Sequence, residues 1–243
     1  GHGKPLEKDI GQFVNKAYSI NDKPAGEYDV IFVTNPTALH YSTINFYAPH
    51  AKSMFIEKPV FDKAGYDIEN LHLLDNRVYY VACPLRYTSV LQYIKDKINP
   101  SEVIGVRSIC SSYLPEWRSG MDYRTSYSAH KAMGGGVDID LIHEWDYLTW
   151  LFGLPDTVKS IKGNYSQLGI DSVDSALYIA NNDHMTYELH LDYYGRKNIR
   201  LMQLFLPDET IEADLSNGEV RYLNSGKTVQ LHEERNDYQI REL

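Results

Sequence analysis

The sequence predicts an α/β fold in two parts: a parallel sheet with helical crossovers, followed by an α+β domain with an open, mainly antiparallel sheet. Up to about residue 100, apolar runs of strand length alternate with segments of helix length, as they do in βαβ units. Beyond that point, strand-like runs follow one another and are separated by turn residues such as Asn217-Gly218. We therefore predict two domains, 1–100 and 101–243.

The first domain is predicted from three strands that end in polar residues. Its first strand, Tyr28–Thr34, is a continuous apolar run, which predicts burial on both faces. The other predicted elements are a weak helix at Asp9–Tyr18, a helix at Leu39–Ala48 with Thr37 as its N-cap, a strand at Ser53–Ile56, a helix at Tyr66–Leu74 and a strand at Val78–Ala82. Parallel strands place their carboxyl ends on one rim of the sheet, where ligands bind. The residues expected on this rim are Thr34-Asn35-Pro36, Glu57-Lys58-Pro59 and Pro84-Leu85-Arg86.

The second domain is predicted to begin with a strand at Val103–Ser112, followed by a polar loop from Leu114 to Lys131 that carries several aromatic residues. Three glycines, Gly134–Gly136, then precede an amphipathic helix that runs to about Phe152. Alternating polar and apolar residues in the strands that follow indicate a sheet with one covered face. These strands are predicted at about 157–164, 173–181, 184–193, 197–206, 209–214 and 219–223.

The composition limits the kinds of partner. The chain has 243 residues, a net charge of −9 and no basic run, so neither nucleic acid nor an anionic membrane is expected to bind it. No apolar stretch is long enough to cross a bilayer, and the first residues contain no signal-peptide core. Two cysteines, Cys83 and Cys110, are too few for a disulfide framework. We predict a cytoplasmic protein, and the scattered histidines predict no metal site.

Glu57-Lys58-Pro59 is the first pattern that indicates chemistry. A lysine on a sheet rim can act as a desolvated base or as a cation that orients a hydroxyl group. A proline directly after a strand can also hold a cis peptide bond. The same three residues would equally fit a strand-ending turn with a solvated ion pair.

The second pattern follows the three glycines. Asp140 and His143 are three residues apart, hence on one face of the predicted helix, and Asp146 continues that face. A carboxylate beside an imidazole orients the ring and raises its basicity, as acid–base catalysis requires. Glycines before a helix allow close backbone approach, and a helix N-terminus favours negative charge. The alternative is an acidic first turn with a surface histidine.

In order and spacing, these motifs resemble the glucose–fructose oxidoreductase/inositol dehydrogenase (Gfo/Idh/MocA) family. The resemblance extends from about Tyr28 to Tyr222 and includes Thr-Asn-Pro-Thr at 34–37, Glu-Lys-Pro at 57–59 and Gly-Gly-Gly-Val-x-x-Asp-Leu-x-His-Glu-x-Asp-Tyr-Leu at 134–148. It implies a Rossmann-type domain that binds NAD or NADP, followed by a substrate domain. It also implies hydride transfer at a carbinol carbon of a sugar, cyclitol or sugar nucleotide.

The resemblance further implies roles for single residues. Lys58 would contact the nicotinamide ribose and the substrate hydroxyl, and His143 would be the general base or acid. Asp140 would orient or polarise the site, although many members place this aspartate four residues before the histidine and not three. The cofactor cleft would be lined by Thr34, Asn35, Pro36 and His40, with Glu57 at the ribose.

The aromatic loop supplies candidates for substrate binding. Aromatic rings stack on sugar faces, and arginine binds phosphate or carboxylate through two hydrogen bonds. The loop also looks like that of a branch associated with sugar-nucleotide or surface-polysaccharide pathways. Packing of the loop onto the sheet is the alternative. The candidates are Trp117, Arg118, Tyr123 and Arg124.

One motif of such a cofactor domain does not occur in this sequence. The family's Rossmann domain opens with a strand, Gly-x-Gly-x-x-Gly and a helix, so we predict that the domain is partial and that NAD(P) binding by this chain is weak or absent. A partial parallel sheet would also expose an unpaired edge. A non-catalytic sugar-binding or regulatory module and a dimerisation module remain open as alternatives. The resemblance implies a homodimer or homotetramer, because the family's open second-domain sheet commonly packs against that of a partner.

Overall fold

The first sheet is parallel, as predicted. In the computed structural model, which describes residues 26–234 and 236–243, three strands pair in the order β1–β2–β3. The predicted helix at Asp9–Tyr18 lies outside the described residues. Ile31 pairs with Met54, and Ser53 pairs with Val78. The elements of this part are β1 Tyr28–Val33, α1 His40–Tyr47, β2 Ala51–Ile56 and β3 Val78–Val81.

One face of this sheet is covered and the other is open. Val33 and Ile56 pack with Ile44 of α1 in a small apolar core. On the opposite face, Val30 is 50% and Phe32 58% exposed. The prediction that the first strand is buried on both faces is therefore wrong, because an apolar run indicates β propensity and does not tell which faces are covered.

The crossover from β2 to β3 is irregular, and the predicted helix at Tyr66–Leu74 is wrong. The carboxylate of Asp67 accepts hydrogen bonds from the backbone amide of Asn70 at 3.2 Å and from its side chain at 2.5 Å. Such local bonds compete with helical hydrogen bonding. The Tyr66 ring also stacks on Tyr41 of α1, with 4.7 Å between the ring centroids, which holds the segment in place.

Two features next to the helices also differ from the predictions. Thr37 is not an N-cap: it is buried within a 3₁₀ turn, and α1 begins after Leu39 with no side-chain cap. An unpredicted helix, α2 (Ser89–Lys97), buries Val90, Leu91 and Ile94. These three side chains belong to the core beneath the second sheet, although they lie within the predicted first domain.

The second sheet is open and mainly antiparallel, as predicted. Its eight strands are arranged in the order β11-β10-β9-β8-β4-β7-β6-β5, and among the described pairs only β4 and β7 run parallel. The strand β11 was not predicted. The strands are β4 Gly105–Tyr113, β5 Thr157–Gly163, β6 Ser175–Asn181, β7 Thr186–Asp192, β8 Tyr194–Phe205, β9 Thr210–Asp214, β10 Glu219–Tyr222 and β11 Thr228–Gln230.

The helix predicted between the glycines and Phe152 is broken in two, α3 (Val137–Asp140) and α4 (His143–Phe152). Helix α4 packs on the inner face of the second sheet, where the Tyr147 hydroxyl hydrogen-bonds the Ser108 hydroxyl of β4 at 2.9 Å. Its neighbours in this core include Leu148 and Leu151. The break between the two helices proves important for the candidate site.

A last, unpredicted helix, α5 (Asp237–Glu242), lies against the end of β3. The Glu242 carboxylate accepts hydrogen bonds from the Cys83 backbone amide at 2.5 Å and from the Tyr80 hydroxyl at 3.1 Å. Burial raises the pKa of Glu242. None of the helices within the described residues is long and apolar enough to span a membrane.

Candidate active site

Lys58 joins the rim of the parallel sheet to the second domain. Strand β2 ends at Ile56, the Glu57 amide donates to the Val33 carbonyl at 2.9 Å, and the Lys58–Pro59 peptide bond is cis. The half-buried Lys58 then donates from Nζ to the backbone carbonyl of Asp140 at 2.6 Å. The two patterns singled out in the sequence therefore meet at one point.

The helix break explains why the Asp140 carbonyl is available. The Glu144 amide donates to the Leu141 carbonyl at 3.1 Å, a bond to the third preceding residue. An α-helix would use the fourth preceding residue, Asp140. The carbonyl of Asp140 instead accepts from the Lys58 ammonium, which fixes the amine at the base of α4.

His143 is the first residue of α4 and its ring is half-buried. Burial, and then the positive charges of Lys58 and Arg200, hold the pKa of His143 well below its ordinary value. Burial likewise lowers the pKa of Lys58, against the opposing charges of Asp140 and Glu57. At neutral pH the imidazole is therefore neutral and able to accept a proton.

The Asp140 carboxylate has a different partner from the one that its spacing predicts. It is 4% exposed and accepts a hydrogen bond from the Tyr193 hydroxyl at 2.6 Å. Asp146 forms a bidentate ion pair with Arg86, in which Arg86 Nε donates to Asp146 Oδ2 at 3.0 Å. Asp140 does not share one continuous helix with His143, because the chain turns between α3 and α4, whereas His143 and Asp146 lie three residues apart on α4 as predicted.

Replacing Tyr193 with phenylalanine should lower the free energy of unfolding by about 2 kcal/mol, because the buried Asp140 carboxylate would lose a donor. Tyr193 is 0% exposed, so water does not readily replace its hydroxyl. Urea denaturation followed by circular dichroism measures the change. Tyr165→Phe is the matched control, since Tyr165 is 66% exposed; equal stability of the two variants would contradict the assignment.

The residues expected to line a cofactor cleft fall into two groups. Thr34 and Glu57 are exposed at the strand ends, and Pro36 is half-buried beside them. His40 is 1% exposed and donates from Nε2 to the Asn35 carbonyl at 2.8 Å, so it shapes this loop from behind. The side-chain oxygen of Asn35 is buried and has no partner among the described residues.

The substrate candidates of the aromatic loop also separate. The Trp117 ring packs edge-on against Tyr193, with 5.2 Å between centroids, and the Arg118 guanidinium lies 5.6 Å from the Tyr127 ring centroid. The rings of Tyr193 and Tyr127 are both close to Asp140. Burial raises the pKa of each tyrosine, and the Asp140 carboxylate raises it further. Trp117 and Arg118 thus border the site.

Tyr123 and Arg124 make contacts that hold the aromatic loop in place. The Tyr123 hydroxyl donates to the Leu168 carbonyl at 2.7 Å, and the Arg124 guanidinium pairs with Asp122 at 3.0 Å. Asp122 also caps the short turn that contains both residues, by accepting from the Arg124 amide. These contacts favour the packing interpretation for this pair.

The glycine triplet makes a close approach to its own chain. A Cβ on Gly135 would lie 2.1 Å from the Tyr127 carbonyl oxygen, so only glycine fits. Gly134 has a φ of 79°, in the left-handed region, and closes a 3₁₀ turn. The close backbone approach expected from the sequence is therefore made to the aromatic loop, and it presses that loop against the site.

Two site residues were missed by the sequence analysis. Glu144, the residue after His143, is 0% exposed and accepts from Nε of the half-buried Arg200 at 2.9 Å. Nothing in the sequence marks Arg200, because which face of β8 it occupies depends on strand register. Among the described residues, no cluster of His, Cys, Asp and Glu side chains could hold a metal ion.

A cavity also lies away from this pair of residues. It measures about 770 Å³ and sits on the outer face of the second sheet, opposite α4. Its apolar floor includes Ile109, Leu177, Ile179 and Leu201. The groups capable of proton transfer lie instead at Lys58 and His143, and neither residue lines this cavity. The candidate active site is therefore the Lys58–His143 region and not the cavity.

Comparison with known proteins supports the fold. No protein-family model matches the chain. A curated relative, the uncharacterized oxidoreductase sll0816 of Synechocystis sp., is 25% identical over 166 residues, which are 65% of this chain and 44% of that protein. The chain thus spans less than half the length of this relative.

Two solved structures share the fold. A levoglucosan dehydrogenase in complex with NADH and levoglucosan has a TM-score of 0.70 at 18% identity, over 83% of this chain and 60% of that one. The UDP-N-acetylglucosamine 3-dehydrogenase GnnA from Acidithiobacillus ferrooxidans has a TM-score of 0.66 at 18% identity, over 88% of this chain and 67% of that one. The chain shares the fold of these two dehydrogenases, which confirms the fold class that its motifs predicted.

Proposed function

We propose that this chain is part of a Gfo/Idh/MocA oxidoreductase that transfers a hydride between NAD(P) and a carbinol carbon of a sugar, cyclitol or sugar nucleotide. One observation carries the proposal: the Lys58 ammonium donates a hydrogen bond to the carbonyl of Asp140, just before the helix that begins at His143. The solved structures with this fold include dehydrogenases of a sugar and of a sugar nucleotide. The named neighbours therefore agree with the chemistry of the site.

The rim of the first sheet fits a nicotinamide cofactor. Thr34 and the Glu57 carboxylate are exposed at adjacent strand ends, where dinucleotides bind in such sheets. The unpartnered Asn35 oxygen offers an acceptor that a carboxamide could satisfy. We propose that these residues and Pro36 hold the nicotinamide half of the cofactor, and that His40 holds the loop. When bound, the nicotinamide would supply the hydride acceptor or donor.

The proton is handled by the chain's own side chains. Lys58, fixed on the Asp140 carbonyl, would orient the substrate hydroxyl with its remaining N–H groups. The neutral His143 ring would take the hydroxyl proton during oxidation, or return it during reduction of a carbonyl. In this scheme Asp140 acts indirectly, because its carbonyl anchors Lys58 and its carboxylate is held by Tyr193.

The substrate would lie between this pair and the aromatic loop. Trp117 is 37% exposed and presents an edge of ring surface to which a sugar can bind. The exposed Arg118 could contact a phosphate or carboxylate of the substrate. We do not extend this role to Tyr123 and Arg124, whose side chains are engaged with Leu168 and Asp122.

A turnover assay tests the proposal directly. The intact protein is incubated with NAD⁺ or NADP⁺ and a panel of sugars, cyclitols and sugar nucleotides, and reduced nicotinamide is followed by absorbance. We expect turnover with at least one member of the panel. Sugar binding by calorimetry without any turnover would favour the non-catalytic sugar-binding or regulatory module and would refute the enzymatic proposal.

The outer face of the second sheet supports self-association. Its cavity of about 770 Å³ has an apolar centre bordered by Arg107, Lys159 and Glu188. An exposed apolar patch with a polar border is typical of a protein interface. Basic and acidic border residues allow two copies of one surface to face each other, so we propose a homodimer through this face.

Substituting Ile179, which is 70% exposed in this cavity, with glutamate should convert the dimer to monomer. The reason is that a carboxylate would be buried at the apolar centre of the interface. Sedimentation velocity at several concentrations measures the effect. Ile68→Glu is the matched control, since Ile68 is 58% exposed and lies far from the cavity in the crossover of the first sheet. A dimer that survives Ile179→Glu would refute this interface.

A further inference from the structure

We propose that Arg86 is a positioning residue: its bidentate ion pair with Asp146 fixes the first turn of α4 against the end of β3, and so fixes where His143 lies relative to the Lys58 ammonium. The ion pair is a feature of the fold, whereas its consequence for catalysis rests on the proposed function. Arg86 follows β3 on the rim of the first sheet, and it takes no part in the proton transfer or cofactor binding proposed for this site.

The first sheet contacts the helix of His143 at two points. After β2, Lys58 Nζ donates to the carbonyl oxygen of Asp140 at 2.6 Å. After β3, Arg86 Nε donates to Asp146 Oδ2 at 3.0 Å. His143 is three residues from each of the two acceptors, so it lies between the points at which its segment is held.

Both oxygens of the Asp146 carboxylate are engaged at the end of β3. Arg86 donates to Oδ2 from Nε and to Oδ1 from Nη2, and the Cys83 thiol also donates to Oδ1, at 3.3 Å. The guanidinium carbon of Arg86 lies 5.8 Å from the ring centroid of Trp150, which is one turn further along α4. Arg86 therefore contacts α4 at two successive turns, with the planar geometry that favours bidentate pairing.

The backbone of Arg86 is itself held in place. Its amide donates to the Cys83 carbonyl at 3.1 Å within a 3₁₀ turn, Pro84–Tyr87. Its carbonyl accepts a hydrogen bond from the side chain of Gln92 on α2 at 2.6 Å. A guanidinium that extends from such a turn is a fixed reference point for the carboxylate that it binds.

The break before α4 explains why a second contact is needed. A continuous helix would carry the orientation of α3 into α4, but the chain turns between Asp140 and His143. The Lys58 contact lies before this turn and cannot by itself set the rotation of α4. Asp146 lies after it, three residues from His143 and hence on the same helix face. Its ion pair therefore sets the rotation of the turn that carries the imidazole.

A purely structural role would make a different prediction. The side chains of Arg86 and Asp146 are 34% and 18% exposed, and partly exposed ion pairs contribute little to stability. If the pair only adds stability, a folded variant without it should keep its kcat. If it positions the imidazole, kcat should fall in the folded protein while KM stays nearly unchanged.

The experiment replaces the ion pair with a covalent bond that can be opened. Cys83 Sγ lies 3.3 Å from Asp146 Oδ1, so the double variant Arg86→Met/Asp146→Cys places a second thiol within reach of Cys83. Oxidised glutathione converts the two thiols to a disulfide and is itself reduced to two glutathione thiols; dithiothreitol reverses the reaction. Thiol titration verifies each form, and circular dichroism verifies that both are folded. Arg86→Met/Asp146→Ser is the matched control, since it lacks the second thiol.

We expect kcat of the reduced variant to be about 10²-fold below that of the original protein, with KM nearly unchanged. The disulfide should restore most of this loss, and the serine control should stay slow under both conditions. Original kcat in the folded, reduced variant would overturn the inference, as would a disulfide form that is no faster than the reduced one. Failure of the disulfide to form would contradict the contact on which the inference depends.

Amide hydrogen exchange makes the test independent of turnover. Exchange in the first turn of α4 should be about tenfold faster in the reduced form than in the disulfide form, whereas the last turn, where the Gly153 amide donates to Thr149, should be alike in both. If exchange changes but neither form nor the original protein turns over any substrate, the anchoring of α4 stands and the proposed function fails. Equal turnover by the two forms would sustain the proposed function and refute the positioning role of Arg86.

Discussion

Replacing Lys58 with methionine should lower kcat of the intact protein by about 10²–10³-fold, the effect of removing one preorganised donor from a reacting oxygen. Methionine retains an unbranched stem of similar length, so the variant should keep most of the packing around the half-buried residue. The lost ammonium is the group that we propose orients the substrate hydroxyl. Steady-state kinetics with the best substrate of the panel measure the loss.

A control variant tests whether the loss of rate is specific to the lysine at position 58. Lys52→Met is the matched control: Lys52 lies on β2, the strand that leads to Lys58, but its side chain is 54% exposed and pairs with Asp29. We expect the control to retain near-normal kcat. Near-normal turnover in Lys58→Met would remove the central residue of the proposed site, since no other described lysine donates to the Asp140 carbonyl.

The rim of the first sheet could be predicted from the sequence because its signals are local. The strand ends at Val33 and Ile56 follow from β-rich runs that stop at polar residues and proline. The motif at residues 57–59 and that around His143 then pointed to the same site through the family resemblance. The contact between Lys58 and the second domain was expected, although the carbonyl that receives it was not.

The helix break and the position of Arg200 could not be predicted, because they depend on features that a single sequence does not contain. The break between Asp140 and His143 removes the helix face on which the acid–base pairing of these residues was based. Arg200 reaches the site only because strand β8 is paired so that this side chain points inward. Burial of such a pair depends on the whole second sheet and on α4, and spacing in the sequence cannot report it.

Replacing Glu144 with alanine should destabilise the fold by about 3 kcal/mol, because the change would leave the half-buried Arg200 guanidinium without its partner. The same change would also strip a hydrogen-bond acceptor from the buried Tyr147 hydroxyl. Urea denaturation measures the loss, and the melting temperature should fall with it.

The control for Glu144→Ala is an ion pair on the protein surface, between Arg107 and Glu188. Glu188→Ala breaks the Arg107 ion pair on the exposed face of the sheet and should cost at most about 1 kcal/mol. Glu144→Gln retains an acceptor for Arg200 and should fall between the two. If Glu144→Ala were no more damaging than Glu188→Ala, the half-buried Arg200 guanidinium would have to turn fully into water once its partner was removed, and the pair would be no stronger than one on the surface.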